Sequence, residues 1–543
     1  MKDVLDIRDD MVDSSKDAHD RIRKELAIYR NEAYAGGGIE RIGGVKAMAK
    51  VSIDPKVRKG VNRLIPGFVQ NASRIEVQPD KSSRTEEDIQ HVEDLQNWLD
   101  MNDDATDEGE ELHAAVQHNL SLGNHVCKVG WDHRRSVVVA EAIHPLNFFV
   151  HSAAKKSNFS DADAVMHREF HSGASLRMNY KGLDIREYSQ VEKKDIDSDL
   201  FLVDEIWLKP WFARECGISV DEDETAVVVA VIINDKFYRA RLSPYWWPDF
   251  PFAHWRNFLD VDDMTGKAYN FWGHGYGEQL WANQKLLDEI LANLVLIYRN
   301  QAVGRFLSLK GALDMEQILP IHGLNIEIDP DILSGRGIGD IIQHLPPDQV
   351  PTVLGEMLAL VSNAIDEELP SMNPVFTGEA PTRQTSGRTV NALQYASFSQ
   401  LSDNIKRMNE FRLRRARIKM TMLQQYAHRP LAPHLWRGGI DLPEIFDEDA
   451  RHVGYHLTLP DTSQMPNTPA GRMQVVVMLA NMGMMMAPER IIEFVGLDRG
   501  FGLKASDFVP VPVPAQGNQP SAQGGHGDQG AVSGLEAAMS AEK

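Results

Sequence analysis

The residues best suited to metal chemistry are His167-Arg-Glu-Phe-His171. On a helix, two imidazoles four residues apart share a face. They hold zinc when a Glu directly follows the first His and serves as general base. Arg168 occupies that place, Glu169 is displaced by one, and the segment lies in a predicted strand region, so no metal is expected. Gly273-His-Gly275-Tyr-Gly277 and Gly335-Arg-Gly337-Ile-Gly339 lack the glycine spacing and the strand–turn–helix setting of a dinucleotide loop. Ser386-Gly387-Arg388-Thr389 has no Lys before its Thr and no upstream Gly at phosphate-loop distance. Gly387 then reads as a hinge between a loop and a helix. There is no Gly-x-Ser-x-Gly elbow. Cys127 lies in an apolar β segment and reads as a small buried side chain, not a nucleophile. The chain is therefore expected not to be an enzyme and to carry no cofactor or metal.

Two charge runs remain. Residues 86–111 hold twelve carboxylates and no Lys or Arg, which reads most simply as a solvated helix face. Residues 403–419 hold seven bases against two acids. At about 100° per residue, Lys406, Arg407, Arg412, Arg414, Arg415, Arg417 and Lys419 surround most of a helix and form no single stripe. They are expected to pair with carboxylates of neighbouring subunits. The alternative is contact with DNA phosphates, independent of sequence and sensitive to salt. A formal net charge of −21 argues against a protein that grips nucleic acid over its whole surface. It is compatible with one that lets nucleic acid pass.

With 543 residues, more than one core is expected, and 43% apolar residues suffice to build them. The longest apolar run, 473–487, contains Asn481 and is shorter than the ~20 residues of a membrane span, so no membrane is expected as a partner. The opening residues are acidic, without the apolar segment of a signal peptide. Two cysteines, Cys127 and Cys216, cannot make a disulfide framework, which points to a reducing compartment.

Periodicity predicts helices over 15–35 and 55–71, a strand over 73–78, and helices over 84–100 and 107–122. A hairpin over 125–143 and meander strands within 150–260 follow, with a turn at Asn234-Asp235. The cluster Tyr245, Trp246, Trp247, Phe250, Phe252, Trp255 and Phe258 reads as core, since a base-stacking platform would need more interleaved cations than His254 and Arg256. A striped helix over 273–303 leads into β-like pieces, and a second helix over 346–370 returns. A polar loop precedes a helix of some forty residues, 387–427. A strand over 452–460 and two helices, 469–484 and 487–495, complete the pattern. From about Val511 the composition cannot bury a core.

Several of these segments together resemble the portal proteins, or head–tail connectors, of tailed bacteriophages. VRKGVNRLIPGFVQNASRIEVQPD (57–80) is similar to their early helix and strand. LGNHVCKVGWD with IHPLNFFVHSAAK (122–132, 143–155) is similar to their hairpin and its proline-marked loop. GYGEQLWANQKLLDEILANLV (275–295) resembles the outgoing stem helix, and TSGRTVNALQ (385–394) the junction of tunnel loop and long wing helix.

The resemblance implies an α+β fold of portal type, assembling as a ring of usually twelve copies. It implies a wing over 1–272, stem helix 1 over 273–302, a small α/β clip over 303–345 and stem helix 2 over 346–369. A tunnel loop over 370–387, the rest of the wing over 388–460, a helical crown over 461–510 and a disordered tail over 511–543 would follow. It implies a virion protein at one capsid vertex, made in the host cytoplasm, through which double-stranded DNA enters and leaves. The implied partners are the terminase large subunit, head–tail adaptor and tail proteins, and major capsid and scaffolding proteins. The return helix carries Asp348, Glu356, Asp366, Glu367 and Glu368 and no base, so a channel lined by it would repel phosphates. The channel loop would hold Thr382, Arg383, Gln384, Thr385, Ser386 and Arg388, with Arg383 and Arg388 supplying the few phosphate contacts. The competing readings are an enzyme with an aromatic-lined pocket, and a capsid or scaffold interaction protein without a channel.

Overall fold

A computed structural model describes residues 3–30, 54–70, 72–79, 86–180, 182–188, 199–221, 224–259, 270–303, 305–308, 342–345, 352–369, 401–426 and 455–459, with the single residues 476 and 491. The chain divides into two units, 1–463 and 464–543, and every element below belongs to the first. The expected tunnel loop and tail, the first part of the long helix, and the crown apart from the single helical residues 476 and 491, lie outside the described residues.

Helix α1 (Val4–Tyr29) starts eleven residues before its expected beginning. Asp3 and Asp6 close a reciprocal capping box at its N-terminus. Val4, Ile7, Met11, Ala18, Ile22 and Ile28 keep one buried stripe through a run crowded with carboxylates. That stripe crosses three hydrophobic clusters in turn, so one helix ties them together. Helix α2 (Lys56–Gln70), strand β1 (Glu76–Pro79), and helices α3 (Glu86–Ala105) and α4 (Glu108–Leu122) follow close to expectation.

Strands β2 (Asn124–Asp132) and β3 (Val137–Ile143) form the expected hairpin, with Val126 opposite Ile143 and Asp132 opposite Val137. A second sheet is an antiparallel meander in chain order: β4 (Phe148–Val150), β5 (Ala164–Ser172), β6 (Leu200–Leu208), β7 (Val228–Ile233) and β8 (Lys236–Leu242). Short helices α5 (Gly173–Asn179) and α6 (Pro210–Glu215) connect its strands. Every residue of β7 is buried. Val229, Val231 and Ile233 face one core, while Val228, Ala230 and Ile232 face the other, capped by α1 and α6. Asn234 and Asp235 both take positive φ at the β7–β8 turn, as a tight hairpin requires.

Strand β9 (Phe252–Arg256) pairs with β2, giving a three-stranded sheet of order β3-β2-β9. It draws the aromatic cluster inward: Phe250, Phe252 and Trp255 are fully buried, and Trp246 stays exposed. The core reading of that cluster holds. Helices α7 (Tyr276–Gln279) and α8 (Trp281–Val303) replace the single predicted helix, with a break at Leu280. Strands β10 (Arg305–Ser308) and β11 (Ile342–Leu345) pair antiparallel, and helix α9 (Thr352–Glu368) returns to pack on α8. Helix α10 (Ser402–Tyr426) lies on β2 and β9. Strand β12 (Tyr455–Thr458) pairs with β1.

One junction explains the glycines at 273 and 275. Gly123 ends α4 with φ +70, and a Cβ there would meet the His274 backbone at 2.2 Å. A Cβ on Gly275 would meet the Ser121 carbonyl oxygen at 2.5 Å, and one on Gly273 the Gly123 oxygen at 2.9 Å. The Asn124 amide donates to the Leu122 and Gly273 carbonyls and accepts from the Gly273 N–H, closing the contact. The Gly-x-Gly-x-Gly run is thus a backbone packing device. Gly123→Ala is expected to lose about 1–2 kcal/mol from the left-handed backbone alone, and more once the clash is added. Urea unfolding monitored by tryptophan fluorescence measures it, and an unchanged midpoint would refute the close packing.

Candidate functional site

Helices α8 and α9 with the β10–β11 ladder form an out-and-back arm. Val361 and Ile365 of α9, and Leu369 just after it, are buried in the same cluster as Leu287 and Ile290 of α8 and Val57 and Val61 of α2. Gly60 permits this approach, since a Cβ there would meet Leu369 at 2.6 Å. Roughly a third of a turn away lies a second apolar stripe, Val353, Met357 and Leu360, at 57%, 41% and 70% exposure. Leu286 and Val295 of α8 are exposed as well.

Among the carboxylates expected to line a channel, Glu356, Glu367 and Glu368 are exposed and flank that stripe. Asp366 is turned away, accepting from the Lys56 ammonium at 2.7 Å. Lys56 also donates to the Ser362 hydroxyl, which staples α2 to α9. Asp348 and the loop residues Thr382, Arg383, Gln384, Thr385, Ser386 and Arg388 lie outside the described residues.

The two charge runs meet each other. The Lys419 ammonium of α10 donates to Asp103 of α3 and to Glu108 of α4, each at 2.8 Å, and Arg415 pairs with the same Glu108. Both cations are almost fully buried, and burial pushes the Arg415 guanidinium down to about 10. Arg414 donates to Asp249 at 3.1 Å and to the Phe252 carbonyl, Arg412 to the Ser73 carbonyl, and Arg407 to Asp403. The expectation that these bases serve neighbouring subunits is corrected for these five: their partners are in the same chain. The acidic run is correspondingly only in part a solvated face.

His167 and His171 sit on strand β5 and not on a helix. His167 is buried, and His171 lies beside Glu169 at 3.3 Å. Arg168 forms a bidentate pair with Asp204, so this motif braces the meander sheet.

Glu25 of α1 is buried at the glycine junction, where its Oε1 accepts from the Gly275 N–H at 2.8 Å. Burial, reinforced by Glu278, pushes its carboxyl up to about 8; His274 and Arg21, also nearby, act the other way. The unfolded chain releases this proton near 4.5 and the folded chain near 8, so stability falls as pH rises through that interval. Glu25→Gln keeps the acceptor oxygen and removes the titration. Between pH 5 and 8 the stability of the variant relative to the native chain is expected to grow by roughly 1.4 kcal/mol per unit. Denaturant midpoints at pH 5.5 and 8 read this directly, and parallel pH profiles would exclude it.

The fold also brings together a further buried group. Glu111 and His118 of α4 are seven residues apart on one helix face, and His125 and Cys127 are alternate residues of β2 on one strand face. His125 is fully buried, with neither ring nitrogen hydrogen-bonded, and its Nε2 lies 3.6 Å from Glu111 Oε1. Phe411 meets the His125 ring edge-on at 5.3 Å, and His118 lies 5.7 Å from it. Burial pushes both imidazoles down to about 3 and the Glu111 carboxyl up to about 7. Glu111 and His118 share a helix face in the sequence pattern, but Gly123 turns the chain before His125, so no spacing marks the group. Cys127 is fully buried, as its apolar segment predicted.

No family model matches this chain, and no curated protein does. Among solved structures, a chain of the virion of a native gene transfer agent particle is similar at 10% identity and TM-score 0.38, covering 87% of this chain and 93% of that one. A chain from the neck of an empty gene transfer agent particle is similar at 12% identity and TM-score 0.38, covering 87% and 94%. Among the described residues, no helix is long and apolar enough to cross a membrane.

Proposed function

We propose that this chain is a structural component of a phage-type particle: a portal protein that closes into a ring and conducts double-stranded DNA. One observation carries the proposal. Helix α9 has two apolar faces, and the described residues of its own chain cover only one. Val353, Met357 and Leu360 thus form an apolar stripe that the described residues leave open to a second partner. Because the same arm also carries exposed apolar residues on α8, copies arranged head to tail around an axis would supply that partner, and a rotation that closes gives a ring. Glu356, Glu367 and Glu368 beside the stripe would face the lumen, and a wall of carboxylates repels phosphate, so DNA would slide instead of sticking. The internal pairing of α10 supports this reading from the other side, since it removes the main basic run as a DNA-gripping surface.

In this proposal the chain performs no chemistry, and a separate motor protein hydrolyses the nucleotide. The β10–β11 end of the arm docks that motor and later the tail adaptor. Arg383 and Arg388 supply the few phosphate contacts. The test is the native mass of the full chain together with negative-stain images. A particle of about twelve copies with a central hole, on the order of 700 kDa for a 61.0 kDa chain, is the expected result. A chain that stays monomeric in the presence of its scaffolding protein would overturn it.

A further inference from the structure

We infer that Glu111, His125 and Cys127 form a site for one divalent transition-metal ion of zinc type, which clamps the first turn of α4 to strand β2. The carboxylate oxygen, imidazole nitrogen and sulfur all lie within 4.8 Å of one another, and the nitrogen–oxygen separation is 3.6 Å. Bond lengths of about 2.0–2.3 Å to a tetrahedral zinc place its ligand atoms roughly 3.3–3.8 Å apart, so a small closure completes the geometry. A mixed oxygen, nitrogen and sulfur set selects zinc, cobalt or copper, whereas magnesium and calcium take oxygen alone.

An independent observation points to a ligand here. His125 is fully buried with both ring nitrogens unpartnered, and Glu111 Oε1 beside it is unpartnered too. Each buried polar atom left without a partner costs about 1–3 kcal/mol. A cation between Nε2 and Oε1 satisfies both at once. Charge also balances: a thiolate and a carboxylate carry two negative charges against the ion's two positive ones. Binding breaks the Cys127 S–H bond, forms a metal–sulfur bond and releases the proton to solvent, with no change of oxidation state. Without an ion, burial and the Glu111 carboxylate push the Cys127 thiol up, with Lys419 acting the other way, so it is the bound cation that would hold the thiolate. His118 Nδ1 is also buried without a partner, its ring 5.7 Å from that of His125, and it lies outside the group of converging ligand atoms. The other acid–histidine group, Glu25, His274 and Glu278, is a poorer candidate because Arg21 lies 3.2 Å from the His274 ring.

The test is to strip the purified full chain with a chelator and titrate it with Co²⁺. One equivalent per chain, with a thiolate-to-cobalt charge-transfer absorption, is expected. The band should vanish in Cys127→Ser and persist in Cys216→Ala, these being the two cysteines of the chain. Glu111→Gln should weaken binding tenfold or more while retaining the native circular dichroism. It decides the matter if Cys127→Ser fails to fold. No stoichiometric uptake, or uptake without the sulfur band and indifferent to these substitutions, would mean an adventitious ion only and would overturn the assignment.

Discussion

Leu360→Glu is expected to leave the chain folded and to abolish its assembly. Leu360 is 70% exposed on α9, so a carboxylate there costs the isolated chain almost nothing. In the proposed ring the same carboxylate is buried against a neighbouring arm, with Glu356 and Glu367 already beside it on the helix. The loss is the burial of a leucine plus the cost of an unpaired charge, about 3–5 kcal/mol at each interface. A closed ring repeats that penalty at every contact, so the assembled fraction collapses. Native mass and far-ultraviolet circular dichroism separate the two effects, and Leu360→Met serves as the control that keeps the apolar contact. A Leu360→Glu chain that assembled like the native one would eliminate α9 as the contact face.

Glu108→Ala is expected to be among the most destabilising single changes in the chain. Glu108 receives both Arg415 and Lys419, and each of these is almost fully buried. Removing it leaves two buried cations to share Asp103, and breaking such a network by deleting one member costs about 3–5 kcal/mol. Glu108 also occupies the first turn of α4, where Asp107 provides no side-chain cap, so a favourable charge at the helix N-terminus is lost too. Because a chain of this size need not unfold in one step, hydrogen exchange in α4 and α10 reads the loss better than a single midpoint. The fully solvated reading of the acidic run predicts less than about 0.5 kcal/mol instead. Combining Glu108→Leu with Arg415→Met and Lys419→Met should recover much of the loss, because no unpaired charge remains inside.

Much of the fold was legible in the chain because its signals are local. The β2–β3 hairpin, the β6–β7–β8 meander with its Asn234-Asp235 turn, and the end of α4 at Gly123 follow from periodicity and turn chemistry within a few residues. The early start of α1 was missed because the carboxylates between Val4, Ile7 and Met11 mask a stripe that becomes apolar only once the helix is docked. The break at Leu280 carries no Pro or Gly at the position itself; the nearest glycine, Gly277, lies three residues earlier inside α7. The buried Glu111, His125 and Cys127 group was illegible for another reason: Gly123 turns the chain back between helix and strand, and only that reversal brings the three together.

By itself the sequence determined most of the helices and strands among the described residues, that the chain is acidic, and that no recognised catalytic motif is present. Only the tertiary structure decided where the charges go. Whether Arg415 and Lys419 meet a neighbour, a phosphate or their own chain depends on distance in space, and their partners stand more than three hundred residues away. It also decided that α9 keeps an apolar face uncovered by the described residues of its own chain, since a helical pattern shows how many faces a helix has and not which of them its own chain will cover.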